Sequence, residues 1–160
     1  MGLFREYDLR GIVGKELTES IAEQVGRAYC TYVKDRGVKT VSVGRDGRLS
    51  SPALFDALVR GLLAGGLNVI DLGICPSPLV YFSLFQLRVD GGIMITGSHN
   101  AAEYNGFKIC IGKEAIHGEA IQELRRVMEA GIFAAGHGTR SEHPIIPDCL
   151  AYIKKSFIGV

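Results

Sequence analysis

Long hydrophobic runs are missing from this sequence, and none approaches the roughly 20 apolar residues of a membrane-spanning helix. The first residues also lack the apolar core of a signal peptide. The formal net charge is only +1 and the basic residues are dispersed, whereas proteins that bind nucleic acids carry a clustered basic surface. These absences predict a cytoplasmic protein with no membrane partner and no nucleic-acid partner.

Closely spaced cysteines are missing as well. The four cysteines include no Cys-x-x-Cys pair and stand far apart, at Cys30, Cys75, Cys110 and Cys149. Zinc sites and dithiol redox sites usually need such pairs, and disulfides are rare in the cytosol. The spacing therefore favours reduced, buried thiols over a zinc site or disulfides.

The sequence does contain a regular alternation of short apolar runs and longer amphipathic segments. The apolar runs predict four strands, at residues 40–43, 68–72, 92–95 and 107–111. Helical spacing and capping residues predict five helices, at residues 19–36, 51–64, 79–87, 118–130 and 147–157. Thr18 is the predicted N-cap of the first helix.

This alternation predicts an α/β fold of three layers, in which a sheet of about four strands lies between helices on both faces. No helix separates the last two strands, so we expect them to pair antiparallel within a mixed, mostly parallel sheet. Residues 131–144 are predicted to form a loop. Because 160 residues can enclose a substantial core, we expect a single domain over residues 1–160.

The richest chemistry follows the strand at 92–95. Residues 96–100 read Thr-Gly-Ser-His-Asn, and residues 104–108 read Tyr-Asn-Gly-Phe-Lys. A site that carries a phosphoryl group needs a nucleophile, fixed hydrogen-bond donors and a group that moves a proton. The hydroxyl of Ser98, its polar neighbours and the ammonium of Lys108 match that set.

Three other segments extend this pattern in chain order. Residues 4–11 read Phe-Arg-Glu-Tyr-Asp-Leu-Arg-Gly, residues 44–48 read Gly-Arg-Asp-Gly-Arg, and residues 76–78 read Pro-Ser-Pro. Together with the serine segment they resemble the first, phosphoserine-bearing domain of the α-D-phosphohexomutases, the phosphomannomutase/phosphoglucomutase family. The resemblance covers most of residues 4–111.

The resemblance implies catalytic roles for Ser98, Lys108 and His99. Ser98 would carry the phosphoryl group, and that phosphate would contribute the only metal contact from this chain. Lys108 would transfer protons, and His99 and Asn100 would donate hydrogen bonds to the phosphate. His99 and Asn100 could instead only stabilise the turn, and Lys108 could be an ordinary strand lysine whose stem is buried.

The resemblance also assigns binding and supporting roles. Tyr7 and Arg10 would reach the active site from the amino-terminal segment and bind substrate or phosphate, although Arg10 could instead form a surface ion pair with Asp8 or Glu6. Arg45, Asp46 and Arg48 would support the serine segment. A structural salt-bridge network is an equally good interpretation of those three residues.

The implied activity is the interconversion of hexose 1-phosphate and hexose 6-phosphate through a bisphosphorylated sugar. It would need Mg²⁺ and a glucose 1,6-bisphosphate-type activator, with a phosphohexose as substrate. The family's later domains supply an Asp-x-Asp-x-Asp-Arg magnesium loop, a Gly-Glu-x-Ser-Gly sugar loop and a further phosphate loop, and this sequence contains none of them. We therefore expect a first domain or fragment that is inactive by itself and whose partners are the remaining domains.

The chain departs from the family at Ala101, where proline is usual.

Some alternatives stay open. A phosphoglucosamine mutase domain would begin Phe-Gly-Thr-Asp-Gly, unlike residues 4–8 here. A sugar-phosphate-binding domain without catalysis would have similar residues. A hydrolase using Ser98 and His99 is disfavoured, because Asn100 replaces the second glycine of the Gly-x-Ser-x-Gly elbow. The preference for mannose or glucose is not encoded in these segments.

Overall fold

A seven-stranded sheet lies between two layers of helices in the computed structural model, which describes residues 2–157. The strands are β1 (Leu9–Ile12), β2 (Thr40–Arg45), β3 (Asn68–Ile74), β4 (Gly91–Ile95), β5 (Tyr104–Ile111), β6 (Glu114–Ala115) and β7 (Arg140–Glu142). The helices are α1 (Glu19–Val33), α2 (Ser51–Ala64), α3 (Ser77–Gln86), α4 (Glu119–Ala130) and α5 (Ile146–Phe157).

The sheet is mixed, as the sequence predicted. The strand order is β1-β5-β4-β2-β3-β7, and β6 pairs with β5 beside this path. Strands β4, β2, β3 and β7 run parallel to one another, while β5 is antiparallel to both of its long neighbours. The expected antiparallel pairing of the last two predicted strands is thus confirmed, with Ile95 opposite Phe107.

The strand count is higher than the predicted four. Strands β1 and β6 were not expected, and β7 lies within residues 131–144, so the prediction of a loop there was wrong for Arg140–Glu142. All three residues of β7 are polar or charged and exposed, so no apolar pattern marks them as a strand. Backbone pairing with β3 at the sheet edge makes this segment a strand.

Two hydrophobic cores lie on opposite faces of the sheet. The larger core joins the sheet to α1, α2 and α4 and includes Tyr29, Phe55 and Phe107. The smaller core lies under α3 and includes Val80 and Met94. Helices on both faces confirm the three-layer architecture.

Local signals set several helix ends. The hydroxyl of Thr18 accepts a hydrogen bond from the backbone N–H of Ile21 at 3.2 Å, which confirms the predicted N-cap of α1. Pro52 lies in the first turn of α2, where its missing N–H costs no helical hydrogen bond. Within residues 2–157, no helix is both long enough and apolar enough to cross a membrane.

All four cysteines are free thiols, and the expected burial is confirmed for three of them but wrong for the fourth. Cys30, Cys75 and Cys110 are buried, and Cys149 is partly exposed. Burial raises the pKa of Cys30 to about 12 and the pKa values of Cys75 and Cys110 to about 11. Because the thiolate is the reactive form, these three side chains serve as core residues.

Candidate active site

Two loops lie side by side at one edge of the sheet. The arginine loop (residues 46–50) follows β2, and the serine loop (residues 96–103) follows β4. Strands β2 and β4 are parallel neighbours with Arg45 opposite Ile95, so their loops leave the same edge. The carboxyl ends of parallel strands are the usual ligand-binding edge of an α/β sheet.

The backbone of Ser98 is in an unusual conformation. Its φ is +54°, and within residues 2–157 it is the only residue other than glycine with a positive φ. For an ordinary residue this conformation costs roughly 1–2 kcal/mol. The Ser98 N–H donates to the Thr96 hydroxyl at 2.8 Å, while the Ser98 side chain stays exposed. A strained backbone that presents an exposed hydroxyl is typical of a functional site.

The serine loop encloses the guanidinium group of Arg48. A guanidinium has five N–H donors. The Arg48 nitrogens donate to five oxygens: Asp46 Oδ2 at 3.2 Å, Ala101 O at 2.7 Å, Tyr104 O at 3.1 Å, Ser98 O at 3.2 Å and Asn100 O at 2.7 Å. Four of these acceptors are backbone carbonyls of residues 98–104. At Ala101 the backbone carbonyl makes this contact, which does not involve the side chain.

The carboxylate of Asp46 accepts hydrogen bonds from both loops. Its Oδ1 accepts from the Ser51 hydroxyl at 2.6 Å and from the Arg48 backbone N–H at 3.1 Å. Its Oδ2 also accepts from the Gly97 N–H at 3.3 Å. Burial by itself would raise the pKa of Asp46, but these hydrogen bonds outweigh burial and lower the pKa. The carboxylate is therefore stabilised in its charged, accepting form.

The side chain of Arg45 contacts different elements from those that Arg48 contacts. Its guanidinium donates to Asp71 Oδ1 at 2.7 Å and lies 4.1 Å from the centre of the Phe55 ring. Arg140 donates to the other oxygen of the same carboxylate at 2.8 Å. The structure thus joins Arg45 to β3 and β7, and does not bring its side chain to the serine loop.

A second charged cluster forms where β1 pairs with β5. Asp8 is buried, and its Oδ2 accepts a hydrogen bond from Lys108 Nζ at 3.3 Å and another from Arg10. The register that places Leu9 opposite Phe107 brings these side chains together. The sequence interpretation treated Asp8 only as a possible surface partner of Arg10, because nothing in the local pattern predicts its burial.

Asn105 and Gly106 let β5 pack closely against the arginine loop and β1. The buried side chain of Asn105 donates to the hydroxyls of Ser50 and Ser51 at 2.9 and 3.0 Å, which ties β5 to the arginine loop. At Gly106 the β1 backbone approaches so closely that a Cβ would lie 2.1 Å from Leu9 O. Only glycine permits this pairing, and the sequence interpretation gave neither residue a role.

Two clefts with one shared residue contain most of the predicted site. One cleft is lined by Tyr7, Arg10, Asn100 and Lys108, together with Arg5, Glu6, Asp8 and Tyr104. The other cleft is lined by Ser98, Asn100, Asp46 and Arg48, together with Val13, Gly47, Leu49, Ser50 and Ala102. His99 is exposed and lines neither cleft. We call the cleft of Arg10 and Lys108 the basic cleft. Asn100 lies between it and the exposed serine, and its Nδ2 donates to Gly97 O at 2.8 Å.

Residues 2–157 offer a metal ion few ligands by themselves. No group of three or more His, Cys, Asp or Glu side chains within the described residues could hold one. Three carboxylates line the two clefts: Asp8 and Asp46 already accept hydrogen bonds from basic side chains, and Glu6 is exposed. Magnesium prefers near-octahedral oxygen coordination, and these residues do not form such a set by themselves.

Comparisons with known proteins agree on one family. The sequence model described as phosphoglucomutase/phosphomannomutase, alpha/beta/alpha domain I, matches residues 1–135. A phosphoglucomutase from Neisseria meningitidis serogroup B is 41% identical over 153 residues, which cover 94% of this chain and 33% of that protein. A phosphomannomutase/phosphoglucomutase from Pseudomonas aeruginosa is 43% identical over 145 residues, 91% of this chain and 31% of that protein.

A solved structure supports the same relationship. A phosphoglucomutase/phosphomannomutase family protein from Burkholderia thailandensis superposes with a TM-score of 0.90 at 38% identity, over 94% of this chain and 35% of that chain. The fold and the sequence matches together define an α/β/α domain of the sugar-phosphate mutase type. The chain belongs to the phosphoglucomutase/phosphomannomutase family and corresponds to its domain I. It spans about a third of the length of the relatives it matches.

The Asp8 cluster generates a stability prediction. Replacing Asp8 with Asn removes the charge that Lys108 and Arg10 share and leaves two cations close together. We expect the free energy of unfolding to fall by about 1–3 kcal/mol, less than for a fully buried pair because both cations are partly exposed. Thermal or urea unfolding measures the change.

The matched control is Glu6→Gln, which removes the same charge from an exposed position on the same segment. We expect it to change stability by less than about 0.5 kcal/mol. Equal effects of the two variants would contradict a structural role for the Asp8 ion pairs.

Proposed function

We propose that this chain is the phosphoserine-bearing domain of a phosphohexomutase that interconverts hexose 1-phosphate and hexose 6-phosphate, with Ser98 as the phosphoryl carrier. The main supporting observation is the strained, exposed Ser98 in a loop that is fixed at its base by Arg48 and Asp46. The adjoining basic cleft supplies the cations that a phosphosugar needs. Membership in the family supports the same assignment.

The proposed chemistry is phosphoryl transfer in both directions. The P–O bond to Ser98 Oγ breaks while a P–O bond to a sugar hydroxyl forms, so the hydroxyl loses a proton and the serine oxygen gains one. The bisphosphorylated sugar then reorients and returns its other phosphoryl group to Ser98. Positioning and electrostatic stabilisation contribute most of the catalysis in such transfers.

Different side chains of the site have different roles in the proposed reaction. Arg10 and Tyr7 bind the substrate phosphate in the basic cleft, where Arg10 offers a planar fork of donors. Asn100 and His99 donate to the phosphate on Ser98, which carries about −1.5 to −2 charges at pH 7. Lys108 exchanges the proton of the reacting hydroxyl.

The proposed reaction also needs a metal ion, an activator and the later domains. Mg²⁺ would contact this chain through the phosphate on Ser98 and would take its other oxygen ligands from a later domain. The metal would neutralise charge on the transferred group. A glucose 1,6-bisphosphate-type activator would phosphorylate Ser98, and the remaining domains would hold the sugar. We place the enzyme in the cytoplasm, in carbohydrate metabolism.

The hydrolase alternative receives no support from the site. Within residues 2–157, no hydrogen bond joins the Ser98 hydroxyl to the ring of His99. A serine hydrolase needs its base within hydrogen-bond reach of the nucleophile. A sugar-phosphate-binding domain without catalysis would have the same basic cleft, and phosphorylation of Ser98 distinguishes that role from a mutase.

The first functional prediction concerns the site of phosphorylation. Incubating the protein at its natural length with a ³²P-labelled hexose bisphosphate should label Ser98, as mapped by phosphopeptide analysis. Ser98→Ala should abolish labelling and nearly all turnover while leaving the unfolding transition in place. Ser141→Ala, which removes the hydroxyl of an exposed serine on β7, is the control and should keep the label. A label on Thr96, or on no residue of the wild type, would contradict the assignment.

Lys108→Ala tests proton transfer. Because general acid–base assistance contributes about 10²–10⁴-fold, we expect kcat to fall within this range while KM changes little. Steady-state kinetics with glucose 1-phosphate and mannose 1-phosphate measure both values. Arg10→Ala should instead act mainly on KM. An unchanged kcat with a raised KM for Lys108→Ala would show that Lys108 only binds ligand.

The chain by itself should fold but not turn over substrate. Residues 1–160 should unfold cooperatively, since the two cores of the described residues are formed within this chain. Positioning of the substrate by other domains is worth about 7–11 kcal/mol of the barrier, so its loss should abolish the reaction. A coupled assay with Mg²⁺ and bisphosphate activator provides the measurement. Turnover near that of the natural-length protein would overturn the proposal that later domains are required.

A further inference from the structure

We propose that Arg48 is a positioning residue that holds Ser98 in its left-handed conformation for phosphoryl transfer, and that it does so without touching the phosphate. The proposal rests on the proposed function of Ser98. An arginine beside a phosphate-carrying serine would ordinarily be interpreted as a phosphate ligand. The hydrogen bonds of Arg48 indicate a different role.

The donors of Arg48 are already occupied. Its nitrogens reach five protein oxygens, which equals the number of N–H groups on a guanidinium. Three of the acceptors are backbone carbonyls of the serine loop, the fourth is the carbonyl of Tyr104 at the start of β5, and the fifth is Asp46. No N–H group is left for a phosphate oxygen unless one of these bonds breaks.

The same bonds determine the path of the backbone around Ser98. Arg48 Nη2 donates to the carbonyls of Ser98 and Asn100, so it holds both sides of His99. The guanidinium also packs on Gly97, where a Cβ would lie 2.4 Å from Arg48 Cζ. Arg48 thus contacts the backbone at Gly97, Ser98 and Asn100, on both sides of the residue with the positive φ.

Asp46 sets the orientation of the guanidinium. Its Oδ2 accepts from Arg48 Nε at 3.2 Å and from the Gly97 N–H at 3.3 Å. The carboxylate is in turn held by the Ser51 hydroxyl at the start of α2. The serine loop is therefore connected through Arg48 and Asp46 to the first residue of α2, and this connection restricts the backbone around Ser98.

Geometry and charge can be separated with Arg48→Lys. A lysine keeps the positive charge but has three donors from one nitrogen, so it cannot reach four separated carbonyls. Arg48→Lys and Arg48→Ala should therefore behave alike, with kcat lowered about 100-fold, as small misplacements of reacting groups can do. KM should stay within about twofold of the wild type, because the basic cleft is untouched.

The kinetic experiment uses the protein at its natural length. Wild type, Arg48→Lys, Arg48→Ala and the control Arg140→Lys are compared in steady-state turnover and in single-turnover labelling of Ser98. Arg140 is also paired with a carboxylate, but it lies on β7 and contacts Asp71. We expect the control to keep the wild-type kcat and both Arg48 variants to label slowly. Wild-type kcat in Arg48→Lys, or a raised KM with unchanged kcat, would overturn the proposal.

A structural readout separates this proposal from the proposed function. A crystal structure of Arg48→Lys should show Ser98 outside the positive-φ region or the serine loop in more than one conformation. Should the wild type fail to label or turn over, the proposed function would be wrong, and the torsion of Ser98 would still test Arg48. An unchanged serine loop in a folded Arg48→Lys variant would overturn the positioning role.

Discussion

The parallel pairing of β2 with β4 is the constraint on which the candidate site depends. It places Arg45 opposite Ile95, and the Asp46 N–H continues the ladder by donating to Ile95 O at 2.9 Å. Two loops that are 50 residues apart in sequence therefore start from adjacent points. The hydrogen bonds from Arg48 to the serine loop are possible only because both loops start from this edge.

The antiparallel pairings of β5 add the second half of the site. Strand β5 leaves the serine loop and returns beside β4, and its other edge receives β1. The amino-terminal segment is thereby carried to the serine loop, and Asp8 is brought to Lys108 across 100 residues of sequence. Asn105 and Gly106 are the residues that permit this close assembly, one by hydrogen bonds and the other by its lack of a side chain.

Three aspartates that are buried or partly buried connect separate elements of the fold. Asp46 joins two loops and α2, Asp8 joins β1 to β5, and Asp71 joins Arg45 to Arg140 across neighbouring strands. Within residues 2–157, no buried side-chain nitrogen or oxygen lacks a hydrogen-bond partner. An unpaired buried polar group costs about 1–3 kcal/mol, so complete pairing lets the protein keep these groups near its core.

The sequence by itself determined the layer architecture, the antiparallel end of the sheet and the serine segment, because apolar periodicity and turn residues are local signals. Thr18 shows this directly, since its capping role follows from its neighbours alone. The edge strand Arg140–Glu142 could not be predicted, because its backbone partner β3 is distant in sequence. Only the tertiary structure decided that Arg45 and Arg48, three residues apart, face different partners. Their positions along β2 and its loop look equivalent in the sequence, while the contacts that separate their roles come from β3, β7 and the serine loop.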